Sequence, residues 1–208
     1  MRLAMVMLVL SIVGGSAAAE PVTALIGHET TDVAPDGVTR IARFQERLYR
    51  DDDQVWIERV VPARAAARSL HELDVHAAAR WYTRRGEHAT VVLVSAPEGV
   101  IIEVGPASME AQDLTDRWVI AAGLVDLASL APTTRTAPAG ARWYERVGTA
   151  DYMRVLWSER FALPLVIESG TRDGHHVSRT TVQPSTRFAQ PWRTAREFRR
   201  IDFSDLGD

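Results

Sequence analysis

The densest group of side chains able to do chemistry is the hexapeptide HELDVH at residues 71–76. In a loop, His71, Glu72, Asp74 and His76 could wrap one divalent ion with imidazole and carboxylate ligands. The spacing works against a regular site. Histidines five apart fall on different faces of a helix and on opposite faces of a strand, whereas helical zinc pairs sit four apart. In a strand, only Glu72, Asp74 and His76 would share a face. A solvated connector accounts for the cluster equally well, so no metal ligand is assigned. His175-His176 follows Asp173-Gly174, a turn signal, and reads as the polar end of a hairpin. His28 and His88 stand alone in the sequence, with no partner assignable.

Other chemistries lack their signatures. A serine hydrolase needs a strained G-x-S-x-G elbow to expose its nucleophile; none is present, and Ser69 near His71 lies in an Ala/Arg-rich stretch. There is no Gly-rich phosphate loop, so no nucleotide cofactor is expected, and no other cofactor is assigned. The absence of cysteine excludes a thiol nucleophile, a disulfide framework and a lipobox anchor. No catalytic residue is assigned, and the chain is expected not to be an enzyme. Asp51-Asp52-Asp53 is an acidic turn, and the basic WRTAREFRR (192–200) reads as a helical or extended surface segment able to meet an acidic partner. All 24 basic residues are arginine, and a net charge of −3 gives no reason to expect nucleic acid as a partner.

Most elements that would position these residues are strands. VTRIARFQERLYR (38–50) and QVWIERVV (54–61) flank the aspartates as a hairpin. On the second run Trp56, Glu58 and Val60 share one face. EHATVVLVS (87–95) and GVIIEV (99–104) flank Ala96-Pro97-Glu98-Gly99. Four more runs follow at 141–148, 151–158, 164–169 and 175–183, with turns at Thr149-Ala150, the polar ERFAL stretch and Asp173-Gly174. DLTDRWVIAAGLVDLASL (113–130) has helical spacing at Trp118, Ala121, Ala122 and Val125, with Asp113 or Thr115 able to cap. The stretch 62–84 is ambiguous between helix and strand. The fold expected is mainly β: a strongly curved antiparallel sheet of roughly eight to ten strands with one or two helices across it.

The first residues, MRLAMVMLVLSIVGGSAAA, have the layout of a cleaved export signal: Arg2, an apolar stretch Leu3–Val13, and Ala17-Ala18-Ala19. The apolar stretch is shorter than the ~20 residues a membrane span needs. Residues 1–19 are expected to leave and 20–208 to form one periplasmic domain.

Trp157-Ser158, Leu163-Pro164-Leu165, Ile167-Glu168 and Asp173-Gly174 resemble the hairpin of exported proteins of the lipoprotein-carrier type, the LolA/LolB-like half-barrels and the N-terminal domain of the RseB/MucB regulators. ERLYRDDDQVWIER is similar to their first-half hairpin. The resemblance implies a half-barrel with helices on its concave face and a non-catalytic role as binding or carrier protein. It implies a cavity for a lipid, lipopeptide or other apolar small molecule, or for the acyl chains of a lipoprotein. Candidate lining residues are Trp56, Val60, Val92, Val94, Ile102, Met153, Val155 and Trp157. The alternatives are an envelope sensor or scaffold with a protein partner, and an exported metal-binding accessory protein using HELDVH.

Overall fold

The computed structural model describes residues 20–61, 78–112 and 114–206. The HELDVH cluster lies outside the described residues. Six strands form the first run: β1 (Val22–Val33), β2 (Thr39–Arg50), β3 (Gln54–Arg59), β4 (Ala79–Arg85), β5 (His88–Ser95) and β6 (Val100–Glu103). The expected hairpins at Asp51–Asp53 and Ala96–Gly99 are both present, and Gly99 supplies the left-handed backbone (φ 62°) that closes the second. Five strands form the second run: β7 (Ala131–Pro132), β8 (Ala141–Val147), β9 (Asp151–Ser158), β10 (Leu163–Thr171) and β11 (His176–Ser185). Gly174 turns the last hairpin with φ 77°. Pro164 lies at a bulge between β10 and β9, where its missing N–H breaks no regular ladder bond.

With a short last strand, β12 (Arg199–Asp202), the strands join into one open, curved sheet in the order β12-β6-β5-β4-β3-β2-β1-β11-β10-β9-β8-β7. It is antiparallel except where β12 runs parallel to β6. The twelve strands exceed the number expected from sequence, because β1, β7 and β12 carry no clean alternation between turn signals. Two chain crossings follow from this order. Residues 104–112 and 114–130 lead from β6, next to the β12 edge, to the β7 edge over one face, here the front. Residues 186–198 travel from β11 to β12 over the other, the back.

Each crossing covers apolar side chains that point its way. On the front, Val22, Ile26, Leu48, Val55, Tyr82 and Val91 are buried beneath α1 (Pro106–Ala111) and α2 (Trp118–Gly123). On the back, Trp56, Trp81, Val94 and Ile101 pack under Phe188, Trp192, Ala195 and Phe198, around α3 (Trp192–Ala195). Trp192 is 3% exposed, so the basic stretch expected on the surface is anchored by a buried aromatic.

The helix expected over 113–130 is shorter than its periodicity suggests. Leu124 adopts a left-handed conformation (φ 62°) and ends α2 after six residues; a 3-10 turn, Leu127–Ser129, follows. The cap is also different: α2 starts after Arg117 without a side-chain cap, and Thr115 accepts the Arg117 N–H instead. The same stripe still faces the sheet, since Ala121, Val125 and Leu130 are all buried.

Arg50 locks these parts together. It is 3% exposed, and its guanidinium donates to the carbonyls of Ala122 (2.9 Å), Ala162 (2.8 Å) and Phe161. One side chain on β2 thus ties the end of α2 to the ERFAL turn, where Ala162 has φ 45°.

Candidate functional site

Beyond α2 the front face is only partly covered. The strand registers align Tyr144, Val155, Ile167, Thr180, His28 and Phe44 in one rank across β8, β9, β10, β11, β1 and β2. At the β8–β10 end, buried Val125, Leu130 and Val155 form a small core, and Leu127, Tyr144, Met153, Trp157 and Ile167 surround it partly exposed. Gly123 makes this arrangement possible: a Cβ there would stand 3.4 Å from the Trp157 ring, so the helix lies directly on the indole.

The β1–β4 end of the same face is polar. His28 Nε2 lies 3.0 Å from Glu46 Oε2, and Arg80 donates to Glu46 Oε1 at 2.5 Å. His28 Nδ1 is 3.2 Å from the Thr180 hydroxyl, and its ring stacks on Phe44 at 4.4 Å. The Arg59 guanidinium caps the other side of Phe44 at 4.1 Å. Burial by itself raises the Glu46 carboxyl; the His28 hydrogen bond and the positive charges of Arg80, His28 and Arg59 outweigh it, and the group ends below its ordinary value. A carboxylate held this way is a poor proton acceptor. Two arginines against one glutamate leave the cluster cationic, suited to a polar or anionic end of a bound group. None of its members except Thr180 and Glu46 carries an oxygen nucleophile. Among the described residues no three metal-binding side chains converge.

The structure divides the eight candidate lining residues between the two faces. Ile102, Met153, Val155 and Trp157 lie on the front, where Ile102 is fully buried with Leu93 and Val100. Trp56, Val92 and Val94 lie on the back beneath the C-terminal crossing. Val60, just past β3, continues the alternation on the Trp56 side and donates its N–H to the Gln45 carbonyl. No single cavity can be walled by all eight, because period-two alternation aligned within one strand says nothing about which faces of distant strands coincide. The back-face aromatics are held by polar tips: Trp56 Nε1 donates to Glu58 and Trp81 Nε1 to Gln54. A hollow of about 150 Å³ remains there, lined by Trp81, Thr83, Arg85, Thr90, Val92 and Arg200. His175 and His176 sit exposed at the β10–β11 hairpin end, His176 against Asp32 at 2.7 Å.

His28, Glu46, Arg59 and Arg80 escaped sequence reading, being far apart in the chain and joined only by register. The available signal was weak: charged residues alternating into an otherwise apolar strand face, as in FQERLYR.

No family model matches the chain, and no curated protein matches it. Solved structures do. The chain is similar to the Pseudomonas aeruginosa MucA/MucB complex structure at 10% identity and TM-score 0.40, over 83% of this chain and 55% of that one. It thus spans little more than half of that longer chain. It is similar to a LolA superfamily protein from Nitrosomonas europaea at 10% identity and TM-score 0.32, over 84% and 89% of the two chains. It is also similar to a putative outer membrane lipoprotein-sorting protein domain from Vibrio parahaemolyticus at 9% identity and TM-score 0.32, over 88% of each.

Proposed function

We propose that the protein is exported to the periplasm after cleavage following Ala19 and acts there as a non-catalytic binding or carrier protein for an apolar group, such as an acyl chain of a lipid or lipoprotein. The observation that carries this reading is the front face. Partly exposed Tyr144, Met153, Trp157 and Ile167 form an apolar surface continuous with the cationic His28–Glu46–Arg59–Arg80 end. That pairing of apolar wall and polar end suits an amphipathic ligand. A fluorescent fatty-acid probe should bind saturably to the purified protein. Trp157→Ala should weaken that binding, and Val92→Ala, on the back face, should leave it unchanged. Equal loss in both variants, or no binding by the parent protein, refutes the front-face assignment.

The reading as an envelope sensor or scaffold is favoured by a different observation. Leu48, Val55, Ile101 and Ile102 are 0% exposed, so at their end of the sheet, on β2, β3 and β6, both faces are filled by the chain's own crossings. Under that reading the partly exposed front-face residues meet apolar side chains of a protein partner. Absence of probe binding together with capture of an envelope protein by the same surface would select it.

A further inference from the structure

On the back face of the six strands β2, β1, β11, β10, β9 and β8, two ranks of residues run unbroken from strand to strand. The registers set Arg43, Glu29, Arg179, Glu168, Arg154 and Glu145 side by side in strict alternation of sign. Each positive residue holds a neighbour: Arg43–Glu29 at 2.9 Å, Arg179–Glu168 at 3.9 Å and Arg154–Glu145 at 3.6 Å. The next rank toward the hairpin tips is Ile41, Thr31, Val177, Gly170, Tyr152 and Val147. Three of its members are exposed apolar side chains, Ile41 at 56%, Val147 at 51% and Val177 at 38%. A solvated sheet face has no need of an apolar rank of this kind.

We propose that this face is an interface with a second copy of the chain. The argument is charge complementarity under symmetry. A face-to-face pair of identical sheets is related by a two-fold axis lying between them. An axis along the rank would set Arg43 against Arg43 and is repelled. An axis along the strands, between β11 and β10, reverses the rank. Arg43 then faces Glu145 of the partner copy, Glu29 faces Arg154, and Arg179 faces Glu168. The same operation reverses the apolar rank, so that Ile41 meets Val147, Thr31 meets Tyr152, and Val177 meets the side-chain-free Gly170. Gly170 is buried against β11, and a Cβ there would stand 2.3 Å from the His176 carbonyl, so the fold admits no side chain at that point of the rank. Both ranks are therefore self-complementary under one operator. The long arginine and glutamate side chains span the offset that sheet twist introduces toward the ends of the rank.

Six strands at about 4.8 Å and two ranks about 7 Å apart make a patch of roughly 400 Å² per copy. Stable dimers bury about 800 Å² per partner, so this pair is weak and reversible. Sedimentation equilibrium from about 10 µM to 1 mM should show a dimer that weakens with added salt. Ile41→Glu and Val147→Arg each replace an exposed side chain at opposite ends of the rank, too far apart to meet within one chain. Each alone should raise the dissociation constant at least about tenfold, and the double variant, which sets Glu opposite Arg twice across the axis, should restore it to within about threefold. A parent protein that stays monomeric throughout, single variants that dimerise unchanged, or a double variant that fails to recover would each overturn the proposal.

Discussion

Replacing Arg50 by methionine tests the central packing argument. The guanidinium lies buried with three carbonyl acceptors, Ala122, Phe161 and Ala162, and no carboxylate pairs with it among the described residues. Removing a charged donor from a buried carbonyl costs about 2 kcal/mol each, or about 6 kcal/mol for three. Burial also pushes the group down to about 10, leaving it charged at neutral pH. That depression corresponds to roughly 3 kcal/mol of burial penalty, which methionine would relieve. The net expectation is a loss of about 3 kcal/mol. With a urea slope of about 2 kcal/mol per molar, the unfolding midpoint should fall by about 1.5 M. Arg50→Lys should recover only part of the loss, because a single ammonium cannot fork between two chain segments. Arg43→Met, an exposed change on the same strand, should cost under about 0.5 kcal/mol. A midpoint for Arg50→Met no lower than that of Arg43→Met would refute the reasoning.

Trp157→Ala should destabilise the fold by about 2 kcal/mol, less than for a fully buried aromatic because the ring is partly exposed, yet more than substitution of exposed His175 or His176; urea titration compares them. Glu46 has a folded-state value below its ordinary 4.5, so its stabilisation is complete above the unfolded carboxylate range and disappears as pH falls through the folded value. Glu46→Gln should therefore flatten the acid side of the stability profile below about pH 4.5; an unchanged slope in thermal melts at pH 3–5 would mean that His28 and Arg80 do not hold the carboxylate.

The hairpins were legible because their signals are local. Asp51–Asp53, Ala96–Gly99, Thr149-Ala150 and Asp173-Gly174 all separate alternating runs, and all four are turns in the structure. The strand at β1 was harder: VTALIGHETTDV mixes buried Val22, Ala24 and Ile26 with a polar second half, so its alternation fades midway. Face assignment was not legible at all. It depends on which crossing covers which side, and the back-face plug comes from Trp192 and Phe198, far along the chain from the Trp56, Trp81, Val94 and Ile101 side chains they cover. The His28–Glu46–Arg80 cluster was hidden for the same reason. Each residue is unremarkable alone, and only the β1–β2–β3–β4 registers bring them within hydrogen-bond reach.

The pairing of β1 with β11 sets the order of events for the growing chain. Thr23 sits opposite Ser185, so the first strand made awaits nearly the last. Until β11 arrives, β1 presents one raw edge to its surroundings, and the β2–β6 half cannot be joined to the β8–β10 half. Distant pairings of this kind close slowly, since the loop entropy comes due before any contact forms. The export proposed above would gain from such a delay. The chain has no way to complete its sheet while its C-terminal third is still on the ribosome, and under that reading it would stay pliable during the interval in which translocation requires it to be unfolded.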